Sequence, residues 1–190
     1  MSSLTADFAE LLMRMRHGRE LAHASSEPLY YLVFDPKQIL EAKRLLPAWM
    51  ARLRNDGWEV HRFSVARELS ELLAQAPLRR IWLAADANAP LAWDKTNQSL
   101  ANALANGSLR NRLENLLDSL RGRRDAIVLV TDLEALHPYL RIGAIESQLY
   151  GKFYVPTVFL YPGNRTGKTR LSFLGFYPED GNYRSEHVGG

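Results

Sequence analysis

The stretch "YPGNRTGKTRLSF", residues 161–173, decides how the rest of the chain is read. Gly167-Lys168-Thr169 could close a phosphate-binding loop, whose pattern is G-x-x-x-x-G-K-[ST] between a strand and a helix. That spacing asks for a glycine at 162. Pro162 stands there, and Gly163 comes one residue too late. The loop also needs a following helix whose N-terminal amides converge on the phosphate. "RLSFLGF" (170–176) has strand character instead. Residues 162–169 are therefore predicted to be a turn joining strands 156–161 and 170–176 into an antiparallel hairpin.

Working outward, "LYYLVF" (29–34) is a continuous apolar run, the mark of a buried strand, and "AIVLVT" (126–131) reads as a further strand. "WEVHRF" (58–63) and "IWLAA" (81–85) complete the predicted strands. Helices are expected between them. Leu4, Phe8, Leu11, Leu12 and Met15 repeat at helical spacing over 5–22. Ile39, Ala42, Leu46, Trp49, Met50 and Leu53 share a face of a helix that Asp35 and Pro36 begin, with Pro47 expected to kink or split it. Ser64 caps a short helix bearing Leu69, Leu72 and Leu73. Residues 86–97 read as a loop. Leu109, Leu113, Leu116, Leu117 and Leu120 mark a helix from about 98, with a possible break at Gly107, and 138–150 forms the last one. The alternation predicts a three-layer α/β fold: a mainly parallel sheet with helices on both faces, plus the C-terminal antiparallel hairpin. We expect one domain over 1–190, with an N-terminal helix in 1–24, a core over 29–161, and a hairpin and C-terminal segment over 162–190.

Composition removes several classes of chemistry. The absence of cysteine excludes disulfides, thiolate metal sites and a cysteine nucleophile. The histidines His17, His23, His61, His137 and His187 show no zinc-ligand spacing. There is no G-x-S-x-G and no G-x-G-x-x-G. No cofactor is expected. The N-terminus lacks the pattern of a signal peptide and no apolar run is long enough for a membrane span, so a cytoplasmic protein without membrane contact is expected. A net charge of +3 permits nucleic-acid contact without requiring it.

Three stretches could carry function. "IVLVTDLE" (127–134) resembles the Walker B strand of P-loop ATPases, whose acid helps to hold Mg²⁺. The matching phosphate loop would follow strand 29–34, yet "FDPKQILEAK" has no glycine, an acid at Asp35 and no N–H at Pro36. The fold thus resembles a degenerate P-loop NTPase without its phosphate-binding loop. Asp132 and Glu134 are expected as a cap and a solvated residue, and a nucleotide site using Asp132 and Lys168 is the least favoured reading. Arg110, Arg112, Arg121, Arg123 and Arg124 surround one helix. They suit the negative end of its dipole, and Arg121, Arg123 and Arg124 are the candidates for DNA or RNA contact. "LGFYPEDGNYRSEH" (174–187) is dense in aromatic and charged residues. It reads either as a tail anchored on the core or as a recognition surface using Tyr177, Glu179, Asp180, Tyr183 and Arg184.

That same C-terminal stretch carries a resemblance. "VPTVFLYPGNRTGKTRLSFLGFYPEDGNYRSEHVGG", preceded by "IVLVTDLEALHPYLRIGAIESQLYGKF", closely resembles the BrxB family of BREX bacteriophage-exclusion systems. The likeness is strong over 127–190 and looser in "LYYLVFDPKQ" and "GWEVHRFSVARELSELL". It implies an accessory or scaffold role in phage restriction and host DNA methylation, without catalysis. The implied partners are the phosphatase-like PglZ, the methyltransferase PglX and a large ATPase. A nucleic-acid-binding subunit of the same system, or a protein with a divergent nucleotide site, remains the alternative.

Overall fold

A computed structural model describes residues 3–20, 27–167, 169–180 and 185–190. Strands β1 (Leu29–Phe34), β2 (Glu59–Ser64), β3 (Ala126–Thr131), β4 (Thr157–Thr166), β5 (Arg170–Phe173) and β6 (Glu186–Gly189) form one sheet among the described residues. Its order is β2-β3-β4-β1-β6, every neighbouring pair parallel, and β5 runs antiparallel to the end of β4.

Alternation along the strands feeds two cores. Tyr31, Val33, Val128, Val130, Phe159 and Tyr161 face one side, under α3 (Val65–Gln75), α6 (Ser108–Ser119) and α7 (Ile142–Gln148). Tyr30, Leu32, Phe34, Ile127, Leu129 and Val158 face the other, under α1 (Leu4–Glu20) and α2 (Ile39–Asn55). Every residue of β1 and β3 is buried, as their unbroken apolar runs require. Phe8 of α1 stacks on Trp49 of α2 with ring centroids 4.6 Å apart, so the N-terminal helix is part of the core. The predicted three layers and the parallel sheet are therefore present. The hairpin is too, with Gly163 opposite Phe173 and Thr166 opposite Arg170. Its turn is shorter than expected, because β4 continues through Thr166; Gly167 follows at φ +64°.

Several expectations are corrected. "IWLAA" is helical: α4 covers Arg79–Asn88, and the ends of α4 and of α5 (Asp94–Leu104) reach into the predicted loop from both sides. Ala and Leu favour helix, and only Trp82 of α4 is buried, whereas an inner parallel strand is covered on both faces. The break anticipated at Gly107 is present: at φ +81° it separates α5 from α6. Pro47 sits on the exposed side of α2, which runs unbroken from Ile39 to Asn55. The helix expected from Pro138 begins only at Ile142; a 3-10 turn (Leu133–Leu136) and a cis His137–Pro138 bond come first. β6 was not predicted at all. Four residues of mixed polarity carry no strand signal until β1 offers them its free edge.

Candidate functional site

In an open parallel sheet, ligands collect beyond the carboxyl ends of the strands, where chain leaving adjacent regions departs to opposite faces. Here β1 and β3 flank β4. Chain leaving β1 enters α2 on one face, and chain leaving β3 enters the Leu133–Leu136 turn on the other. The crevice between them is crossed by the protein's own charges. Lys43 Nζ of α2 lies 3.3 Å from Asp132 Oδ1 and 2.6 Å from Glu134 Oε1. Asp132, at φ +61°, also accepts from Ser64 Oγ (2.6 Å), Thr131 Oγ1 (2.8 Å) and Arg62 Nη2 (3.0 Å).

The electrostatics follow. Burial pushes the Asp132 carboxyl up, but the Ser64 and Thr131 hydroxyls, with Lys43 and Arg62, outweigh it and hold the group below its ordinary value. Lys43 is held above its own, chiefly by Glu134. Asp132 occupies the capping position of the 3-10 turn but makes no side-chain capping bond, and Glu134 is paired with Lys43. The expected cap and solvated residue are instead the two acids of one ion-pair network.

The position where a phosphate loop would stand is also filled. The Asp35 carboxylate accepts the Lys37 N–H at 2.8 Å. A methyl placed on Gly175 would sit 3.8 Å from Pro36 Cγ, so the turn after β5 lies against this corner. Lys168 lies outside the described residues.

The C-terminal recognition residues are partly gathered beside this crevice. Tyr177 is half-buried. Its ring stacks on Phe173 (5.8 Å), carries the Arg141 guanidinium at 3.4 Å, and its hydroxyl is hydrogen-bonded to His137 Nδ1. The neighbouring Phe176 is 64% exposed, 4.6 Å from Tyr177 and edge-on to His137. Glu179 is exposed and pairs with Arg170 at 3.6 Å. Asp180 is fixed by backbone bonds in both directions to Leu171. Tyr183 and Arg184 lie outside the described residues. His187, which ends the stretch, and the Val188 after it are buried in β6. Sequence reading picked out Tyr177 but missed Arg141 and His137, which only the fold places around it.

The arginine cluster is more compensated than its sequence suggests. Arg112 reaches Glu68 (2.7 Å) and Glu71 (2.8 Å) on α3. Arg123 pairs with Glu59 and lies 3.7 Å from Asp125. Arg121 covers the Tyr154 ring at 4.3 Å. Arg121, Arg123 and Arg124 are all exposed on the turn between α6 and β3.

A buried acid was also missed. Glu146 of α7 accepts from Tyr31 Oη at 2.5 Å beneath the sheet. Burial pushes its carboxyl to about 7; the Tyr31 hydrogen bond opposes this, and Asp180 and Glu27 add to it. The signals were available: Glu146 lies between Ile145 and Leu149 on the buried face, and Tyr31 puts a hydroxyl inside an apolar run.

Fold and site together define an α/β protein whose switch point is spanned by an ion-pair network of its own side chains, with an aromatic surface built on Phe176 and Tyr177. The chain belongs to the BrxB family: the family described as BREX protein BrxB matches residues 79–188. It is thus a component of a BREX phage-defence system. The matched span runs from α4 to β6 and contains the whole C-terminal likeness up to Val188; the looser likeness upstream lies outside it. Neither the curated proteins nor the solved structures give a match. No helix among the described residues is long and apolar enough to cross a membrane.

Proposed function

We propose that this chain is a non-enzymatic scaffold of its BREX system, which joins other BREX proteins through the surface built on Phe176 and Tyr177. Its fold is read as a degenerate relative of the P-loop ATPases that has lost the phosphate grip. One observation carries the reading: Lys43, Asp132 and Glu134 neutralise one another across the crevice where such a relative holds metal and phosphate. The acid at the end of β3 and the insertion of β4 between β1 and β3 support the kinship. Asp35 and Pro36 replace the amides that would grip an anion.

The aromatic surface suits a partner because its geometry is set beforehand. Arg141 and His137 hold Tyr177, so an incoming protein orders little on binding. Phe176 offers a large exposed ring, and Arg170 with Glu179 supplies a polar margin. PglZ is the first partner to test, then PglX and the large ATPase. Contact with DNA or RNA through Arg121, Arg123 and Arg124 is less favoured, since Arg123 already has two acids beside it.

Phe176→Ala with Tyr177→Ala should abolish co-purification with these proteins from cells carrying the whole system, while circular dichroism stays unchanged. Undiminished co-purification sinks the surface. A thermal shift on adding ATP with Mg²⁺ sinks the account of the crevice.

A further inference from the structure

We infer that α4, with the cleft beside it, is a second docking surface, made for an acidic amphipathic helix of another protein. This rests on the reading that the chain works through protein contacts, but on a different part of the molecule.

Helix α4 breaks the rules for a helix that stands alone. Of its residues only Trp82 is buried, anchored by a hydrogen bond from Nε1 to Ser99 Oγ at 2.9 Å. Around it Leu78, Ile81, Leu83 and Trp93 are exposed, and Leu91 is 91% exposed. Leu78 and Ile81, three residues apart, share one helix face, and exposed apolar side chains set side by side suit a contact site. It adjoins a cleft of about 400 Å³ whose apolar lining includes Leu72, Leu73, Leu78, Trp82 and Leu104. Leu78 belongs to both, so the face it shares with Ile81 adjoins the cleft. The family match begins at Arg79, the first residue of α4.

Charge decides the occupant. Arg79 and Arg80 are exposed at the N-terminus of α4, and neither makes an ion pair with a described residue. Cations are the wrong sign there, because the dipole already leaves that end positive. The capping position, Leu78, makes no side-chain bond. Carboxylates from a partner would neutralise both arginines and suit the dipole, while apolar side chains entered the cleft. This region offers no strand edge, so recognition must come through side chains, which favours a helix in a groove. A second copy fits poorly: the acids of the amphipathic α3, Glu68 and Glu71, are tied to Arg67 and Arg112.

The test places the photo-crosslinker p-benzoylphenylalanine at Ile81, in cells carrying the whole BREX system, and sequences the adduct. The expected adduct is one other BREX protein, joined within a segment of helical apolar spacing flanked by Asp or Glu. Arg79→Glu with Arg80→Glu should lower its yield at least about fivefold. This pair puts acids at the N-terminus, so it should leave thermal stability unchanged or raise it, which separates docking from folding. An adduct with a second copy, with nucleic acid or lipid, or with a segment lacking acids overturns the inference. So does no adduct, or a yield untouched by charge reversal. If the BREX proteins still co-purify while Ile81 yields no adduct, this inference alone fails. If Phe176→Ala with Tyr177→Ala leaves co-purification intact but Ile81 gives the acidic adduct, only the Tyr177 surface fails.

Discussion

Replacing Glu146 by Gln should shift unfolding stability in the variant's favour as pH rises from mild acid to neutral. An unfolded chain holds this carboxyl near its ordinary 4.5, and the folded chain holds it at about 7. Below the lower value both states are protonated and the group does not affect stability. Between the two, the folded state keeps a proton that the unfolded state sheds, so rising pH lowers stability by about 1.4 kcal/mol per pH unit. Above about 7 both states are ionised and the full loss, about 3 kcal/mol, is in place. Gln keeps an oxygen to accept from Tyr31 Oη but has no proton to lose. Its extra amide N–H groups add a constant that does not depend on pH. The quantity to measure is therefore the difference in urea unfolding free energy between variant and wild type, taken from about pH 4.5 to about pH 8. It should move in favour of the variant by about 3 kcal/mol across that window, with a midpoint between the two values. Tyr31→Phe, which removes the hydrogen bond favouring the carboxylate, should extend the pH dependence to higher pH. A difference that stays flat over the window would refute the reasoning, since it would mean that Glu146 titrates alike in both states.

Three other outcomes are expected. Ser64→Ala removes both the cap that accepts the Arg67 N–H at 3.3 Å and a donor to Asp132, and should cost about 1–2 kcal/mol in denaturant unfolding. Lys43→Ala leaves Asp132 and Glu134 without their shared cation. The Asp132 carboxyl should rise toward its ordinary value, visible as an NMR titration shift, with a stability loss of only about 1 kcal/mol because the ammonium is half-exposed. Gly163→Ala would put a methyl 2.4 Å from the Ser172 carbonyl oxygen and 2.5 Å from the Tyr161 ring, and should destabilise the hairpin by about 2–3 kcal/mol. A thermal melt unchanged from wild type would show that β4 and β5 do not meet as described.

Much of the fold was legible because it follows from local pattern. "LYYLVF" and "AIVLV" are apolar or aromatic throughout, as strands covered on both sides require, and both β1 and β3 lie buried. The hairpin was legible from the missing first glycine and from the strand after Thr169. The failures share a cause. "IWLAA" carries an apolar run of strand length, and such runs are ambiguous by periodicity. Trp82 turning inward alone, with Ile81 and Leu83 left outside, is not written in the local sequence. β6 escaped because its strand state comes from pairing with β1, and pairing energy is not a property of four residues.

The site divides in the same way. The residues of this chain fixed by themselves that no complete phosphate loop exists at 162–169, that a helix starts at Asp35-Pro36, and that the end of β3 bears acids. They also marked Tyr177 among the aromatic residues of the C-terminal stretch. Tertiary structure alone decided what meets these groups. Lys43 is far from Asp132 in sequence and spans the crevice only because parallel crossovers carry α2 back along the sheet. Tyr31 and Glu146 are separated by more than a hundred residues, yet share a proton's environment. Arg141 and His137 reach Tyr177 only once the chain after β5 has folded back on the 3-10 turn. Charge and hydrogen bonding act over a few ångströms in space, so their consequences wait on which distant segments the fold brings that close.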